Sequence, residues 1–429
     1  VTRQRSARET PLPFPSLMAS SEGRRRRRGK KSKAKKKKKE AGPTIVQDLP
    51  DHLFELILVR LGPSPCLVRA AAACKRWCRV VGNPGFFARF GPVHAQAPYV
   101  GDYHTVQGGQ PLFVPSSPVV VDRSRFSLEF LPESGSWEIA DSRGSLLLLT
   151  KKRAPQSWRD YSRCVRHYPD LMVCEPLTGL YQRILWPEDL DGIGRLGVFL
   201  LNGDDAGRRV STSNFRVLAA VDETVACVFS TGSEGGWRII YSEITSHVEL
   251  PKLGPENFVG RANGTLYWGI DGCATAVLAL DETTAEFSIA AFPENVWGPS
   301  HIRTSRIVGG EDGTLRVIRL IGNDLKVFAK RHAGSDEDEW LLEMHLMLPE
   351  ATLGLPGRKE HFFRQQAMIV AANTRYVLLT PSEKSWLFSV ELDTMRVESK
   401  HERNKYAGEA YPCKLPWPPA LADHGRERR

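Results

Sequence analysis

The sequence predicts a multidomain protein: a disordered basic N-terminal arm, a small all-α three-helix unit, then an all-β, propeller-like repeat domain. Three observations predict it. Sixteen of the first 40 residues are Lys or Arg. Residues 48–90 place apolar side chains at helical spacing. Beyond residue 124, short β-rich runs bounded by Gly, Asp and Asn recur with no helix of ordinary length between them. The expected boundaries are 1–43 for the arm, 44–90 for the helical unit, 91–124 for a polar linker, 125–421 for the β domain and 422–429 for a tail.

Of 429 residues, 41% are hydrophobic and 25% charged, a globular composition with room for more than one core. No window approaches the roughly 20 apolar residues of a membrane-spanning helix, so no membrane association is expected. The basic start has no apolar h-region, which argues against a secretory leader. Eight cysteines (Cys66, Cys74, Cys78, Cys164, Cys174, Cys227, Cys273 and Cys413) are irregularly spaced, as reduced thiols are and a disulfide framework is not. The arm's 16 cations stand against Glu9, Glu22 and Glu40, so residues 1–40 carry +13 where the whole chain carries +10. The remaining 389 residues therefore sum to about −3. The high pI describes a tail, and the folded part does not call for nucleic acid.

The arm has no apolar periodicity and cannot bury enough surface to offset the entropy of ordering. Met18 opens an ordinary start, Met18-Ala19-Ser20-Ser21-Glu22, and Val1–Leu17 is expected to be upstream sequence. Between Arg24 and Lys39, 13 of 16 residues are basic. Arg24, Arg25, Arg26, Arg27, Arg28, Lys30, Lys31, Lys35, Lys36, Lys37, Lys38 and Lys39 form a candidate nuclear-import signal. That places the protein in the nucleus, with the cytoplasm as a second compartment; a solvated tail is the alternative. The string Gly23-(Arg)5-Gly29-Lys30 is not a phosphate-binding loop. It has one residue too many between the glycines, Lys31 where Ser or Thr belongs, and no strand before it.

Asp48-Leu49-Pro50-Asp51 is a helix start, an acceptor side chain followed by Pro where a missing N–H costs nothing. Leu49, Leu53, Ile57 and Leu61 follow four apart, Phe54, Leu56 and Leu58 widen the stripe, and Gly62 stops it. Ser64-Pro65 begins a second helix with Leu67, Ala71, Cys74, Trp77, Cys78 and Val81 inward. Asn83-Pro84 begins a third turn carrying Phe86, Phe87 and Phe90. So small a unit is expected to complete its core against a partner.

Leu49-Pro50-Asp51-His52-Leu53, Ile57-Leu58-Val59-Arg60-Leu61, Leu67-Val68-Arg69-Ala70, Cys74-Lys75-Arg76-Trp77 and Pro84-x-Phe86 together resemble an F-box. The alanine run Ala70–Ala73 departs from the pattern but keeps it apolar. The resemblance implies a Skp-type adaptor and, through it, a cullin as partners. It implies an adaptor-binding set of Leu49, Pro50, Leu53, Phe54, Ile57, Leu58, Leu67, Ala71, Cys74 and Trp77.

Sixteen runs read as strands: 145–150, 171–174, 181–185, 198–201, 217–221, 224–230, 237–242, 265–268, 276–280, 286–290, 315–320, 324–330, 340–346, 368–372, 376–380 and 385–392. Two patterns repeat among them. Asp141–Leu146, Arg261–Leu266 and Glu311–Leu315 each place a Gly before a strand. Val173–Tyr181, Leu278–Phe287 and Val390–Val397 are strand–turn–strand units. Gly264 and Gly313 lie 49 residues apart, close to the period of a four-stranded blade, so about six blades fit. This region resembles the β-propeller-like associated domain of plant, especially grass, F-box proteins. The resemblance rests on those repeats, on Gly264-Thr265-Leu266-Tyr267-Trp268 and on Tyr411-Pro412 with Leu415-Pro416-Trp417-Pro418-Pro419.

Catalytic chemistry finds no carrier, and no cofactor or metal is expected. Gly192-Ile193-Gly194-Arg195-Leu196-Gly197 has dinucleotide-loop glycines, but a strand-like run follows where a helix must. Cys74 and Cys78 read as helix packing. Cys164, His167 and Cys174 make no zinc site. One loop mixes cations with aromatics, and Arg153, Trp158, Arg159, Tyr161 and Arg163 are a candidate substrate surface suited to an acidic protein segment. Two readings follow. The first is a non-catalytic substrate-recognition subunit of a Skp/cullin/F-box ubiquitin ligase with an unidentified target. The alternative is a nuclear RNA- or chromatin-associated β-propeller scaffold that grips nucleic acid through its arm.

Overall fold

The structure is a computed structural model. It describes residues 49–60, 75–81, 83, 86, 99–105, 109–116, 122–152, 170–186, 196–203, 210–232, 236–244, 250–299, 303–310, 313–331, 339–383, 386–401 and 410–415. The chain divides into Val1–Pro50, where only Leu49 and Pro50 are described, and Asp51–Arg429.

Helix α1 (Asp51–Val59) begins directly after Pro50, with Asp51 in its first turn, where a carboxylate suits the helix dipole. Asp51 also accepts from Arg76 of α2 (Lys75–Val81), Nε at 2.9 Å and Nη2 at 2.7 Å. The same guanidinium lies 5.6 Å from the Phe54 ring centre, and Phe54 tilts against Trp77 at 4.9 Å. Phe54, Leu58, Val80, Val81 and Phe86 are buried.

The β domain starts with β1 (Tyr99–His104) and β2 (Leu112–Pro115). Tyr99–His104 and Leu112–Pro115, expected as part of a polar linker, are thus strands; their mixed composition hid them because pairing, not hydropathy, makes them strands. Five antiparallel meanders follow. The first is β3 (Trp137–Arg143), β4 (Leu146–Lys151), β5 (Leu171–Glu175) and β6 (Leu180–Ile184). The second is β7 (Gly197–Leu201), β8 (Arg216–Ala220), β9 (Val225–Ser230) and β10 (Gly236–Tyr241). The third is β11 (Phe258–Ala262), β12 (Thr265–Gly269), β13 (Ala276–Asp281) and β14 (Phe287–Ala291). The fourth is β15 (Ser305–Gly309), β16 (Leu315–Ile321), β17 (Asp324–Arg331) and β18 (Glu339–Met347). One helical turn, α3 (Leu348–Ala351), precedes the fifth: β19 (Met368–Ala372), β20 (Tyr376–Thr380), β21 (Leu387–Glu391) and β22 (Val397–His401). Last, β23 (Ala410–Lys414) returns to pair with β1, giving a sheet ordered β2-β1-β23.

These sheets are six blades of a propeller. The third and fourth meanders join where β11 and β15 pair in parallel, Gly260 opposite Ile307. Gly260 has φ +145°, and a Cβ there would overlap the Ile307 carbonyl oxygen, so only glycine permits this approach. The first blade takes two strands from the start of the domain and one from its end, a clasp that closes the ring and hides sheet edges.

Five apolar clusters fill the space between successive blades. Trp137, Trp268, Trp297 and Trp386 are each fully buried in one of them. Every one of the sixteen expected strands overlaps an observed one. Gly144, Gly264 and Gly313 sit in turns at φ +63°, +77° and +80°. The three strand–turn–strand repeats share one geometry: Gly179, Ala285 and Met395 are left-handed, and each donates its N–H four residues back, to Glu175, Asp281 and Glu391.

Candidate docking face and channel

Helix α1 is apolar on two faces. Phe54 and Leu58 point inward, whereas Leu53 (42% exposed), Leu56 (55%) and Ile57 (47%) form a solvent-facing stripe at i, i+3, i+4. Of the residues expected at an adaptor dock, Leu53 and Ile57 are on this stripe, Pro50 is exposed, and Leu49 and Trp77 are half-buried. Phe54 and Leu58 belong instead to the interior: both are buried, and Trp77 of α2 packs on Phe54. Leu67, Ala71 and Cys74 lie outside the described residues, as do the import residues of the arm and Arg153, Trp158, Arg159, Tyr161 and Arg163. Leu56, read only as widening the stripe, is its most exposed member.

The propeller axis holds a cavity of about 330 Å³ lined by the inner strands of all six blades, β23, β3, β7, β11, β15 and β19. The turns that end these strands gather at one mouth. Lys414 donates its N–H to Gly144, and Asn263 donates its side-chain amide to the Gly313 carbonyl. Four charged side chains interlock there. Asp141 Oδ2 accepts from the Leu200 N–H at 2.7 Å and from Arg261 Nη2 at 3.1 Å. Glu282, in the β13–β14 turn, stands 2.6 Å from Arg261 Nε and 3.1 Å from Arg143 Nη1. Arg143 also donates to the Asn202 side chain and the Leu200 carbonyl. This quartet ties the second, third and fourth blades together. Burial, followed by Arg261, lowers the Arg143 pKa, and Glu282 opposes both.

The junction of the last and first blades differs from the other five. Tyr99 of β1 packs against Tyr376 of β20 at 6.4 Å and donates its hydroxyl to Asp102. Burial, then Asp102, raises the pKa of both phenols, so both stay neutral. The Arg375 guanidinium lies over the Tyr99 ring at 5.7 Å. At the other end of the channel, a cavity of about 550 Å³ is lined by Glu138, Glu256 and Lys151 among others.

None of these channel residues was singled out from the sequence as a site, although Asp141, Arg261 and Glu282 stand inside the two repeated turn patterns. Among the described residues no group of three His, Cys, Asp or Glu could hold a metal ion, and no helix is long and apolar enough to cross a membrane. The glycine string at 192–197 enters the described residues only at Leu196, from which strand β7 continues.

Residues 159–421 match the family model described as F-box protein AT5G49610-like, beta-propeller, and residues 46–90 match the F-box-like model. No curated protein matches the chain. Solved structures similar to it include a functionally unknown protein from Desulfotomaculum acetoxidans (11% identity, TM-score 0.37, covering 74% of this chain and 99% of that one). Another is the periplasmic gluconolactonase of Pseudomonas aeruginosa (11% identity, TM-score 0.32, covering 71% and 81%). At these scores they add nothing to the assignment. The helical unit, the six-bladed β domain and the two model matches agree, and the chain belongs to the F-box protein AT5G49610-like β-propeller family.

Proposed function

We propose that this protein is a substrate-recognition subunit of a Skp-adaptor/cullin/F-box ubiquitin ligase, non-catalytic itself, with the propeller presenting a target protein. The observation that supports it is the solvent-facing stripe of Leu53, Leu56 and Ile57 on a helix whose other apolar face is already packed. Three large apolar side chains in water on one short helix make a surface suited to a partner. Ligase chemistry then belongs to the partner subunits. Leu53→Asp would place a charge in that interface with nothing to pair it. Since Leu53 is exposed in the free protein, the fold should tolerate the change while adaptor co-purification is lost. Unchanged adaptor capture by a folded Leu53→Asp protein overturns the reading.

The arm between Arg24 and Lys39 carries nuclear import in this proposal. Its deletion should shift the protein to the cytoplasm and leave adaptor capture intact; a nuclear signal that does not change removes the arm from the account.

A further inference from the structure

The channel mouth carries more positive charge than the quartet uses. Five Asp, Arg and Lys side chains line the axial cavity: Asp141, Arg261, Arg306, Arg375 and Lys414. Asp141 and Arg261 are spent on each other and on Arg143 and Glu282, two cations against two carboxylates. Arg306 donates to the backbone carbonyls of Ser305 and Ile369. Arg375 and Lys414 make no ion pair among the described residues.

Their placement is specific. Lys414 of β23 is the cross-strand partner of Tyr99 in β1, so the two side chains share a face of the sheet. Arg375 lies over the ring of that same tyrosine. The two cations therefore flank Tyr99 at the junction of the last and first blades. Asp102, which accepts the Tyr99 hydroxyl, is one carboxylate set against these two cations. Glu398 pairs with Arg396, and Glu391 accepts from Thr394. The positive charge stands out because residues 41–429 as a whole are slightly negative, and a concave, low-dielectric channel concentrates the field of charges on its wall. The opposite mouth, with Glu138 and Glu256 against Lys151, lacks it.

We propose that Arg375 and Lys414, set about Tyr99 at this mouth, bind an anionic side chain of the target protein, a carboxylate or a phosphate. The proposal rests on the substrate-receptor reading and names the chemistry of its ligand. Arg375 supplies a planar fork of donors and Lys414 a point charge. The neutral Tyr99 and Tyr376 supply an apolar wall with hydroxyls directed inward, to Asp102.

The test is fluorescence anisotropy on the full-length protein with three labelled Gly/Ser peptides, carrying clustered Glu, clustered phosphoserine, or Gln in their place. The double variant Arg375→Gln/Lys414→Gln should bind the anionic peptides about tenfold more weakly than the wild type, with the Gln peptide weak for both. The basic arm attracts anionic peptides on its own, so each protein is also measured with Arg24–Lys39 deleted, which isolates the channel. Lys252→Gln/Arg331→Gln, which removes the same charge from exposed positions elsewhere, should leave affinity unchanged. Loss confined to the phosphoserine peptide assigns a phosphate ligand; loss with both assigns a carboxylate-competent site. Equal affinity in wild type and channel variant, an equal loss in the distal variant, or no preference over the Gln peptide overturns the proposal. Adaptor capture is read separately with Leu53→Asp, so failure of the ligase reading and failure of the anion site are told apart.

Discussion

Replacing Glu282 by Gln asks whether the ionic quartet, and not apolar packing alone, holds three blades in register. The Glu282 side chain is 9% exposed, and it faces Arg143 at 3.1 Å and Arg261 at 2.6 Å. At an effective dielectric near 20, one such pair is worth roughly 5–6 kcal/mol of gross attraction, most of which desolvation returns. Removing the acid does not simply reverse forming the pair. Arg143 and Arg261, each about a quarter exposed, stay beside one another, and burial followed by Arg261 already lowers the pKa of Arg143. Breaking a fully buried pair costs about 3–5 kcal/mol. With both guanidinium groups partly wet, the loss here is about 2–3 kcal/mol. In a domain of this size that lowers Tm by roughly 4–9 °C. Differential scanning calorimetry of the full-length protein at neutral pH reads it directly. Arg143→Met/Glu282→Gln should recover part of the loss, because Arg261 keeps Asp141 and no second cation remains beside it. A Glu282→Gln protein melting within about 1 °C of wild type, or a double variant less stable than the single one, refutes the reasoning.

Two glycines separate strain from collision. Gly264→Ala, at φ +77° with open space around it, should cost about 1 kcal/mol, whereas Gly260→Ala collides with the Ile307 carbonyl and should cost severalfold more in urea denaturation. Equal costs would mean that the β11–β15 pairing is not tight. Buried thiols predict alkaline sensitivity. Burial, then Asp102 and Glu175, pushes Cys413 up to about 12, and burial, then Asp222, pushes Cys227 up to about 11, from an ordinary 9.0. The folded state therefore favours the protonated thiols, so their contribution is intact below pH 9.0 and is lost as pH rises toward those values. Each thiol forfeits about 1.4 kcal/mol per pH unit in that window. Urea midpoints at pH 8 and pH 10 should fall less for Cys227→Ala/Cys413→Ala than for wild type, and equal slopes would count against it.

The strands that were legible in the sequence either are apolar on both faces, such as Leu146–Lys151 and Ala276–Asp281, which pack between two blades, or alternate apolar with polar residues, as Asp324–Arg331 does. The seven that were not legible (β1, β2, β3, β11, β15, β22 and β23) include four of the six innermost strands. WEIADSR, FVGRA, SRIVG and AYPCK mix charge, glycine and proline with apolar residues because one face meets the core and the other the channel. Their extended form comes from partners distant in sequence; β1 and β23 pair across some 300 residues, a fact no local pattern encodes. The same limit governed both candidate sites. Spacing identified α1 and its F-box pattern but showed one broad stripe, since Phe54 and Leu53 are equally apolar to a sequence reader. Only the packing of Trp77 decides that Phe54 is core and Leu53 is surface. The turn patterns around Asp141, Arg261 and Glu282 were visible as repeats, because left-handed and hairpin positions demand particular residues locally. That they converge on one mouth, with Arg375 and Lys414 making no ion pair among the described residues there, follows only from closing the ring.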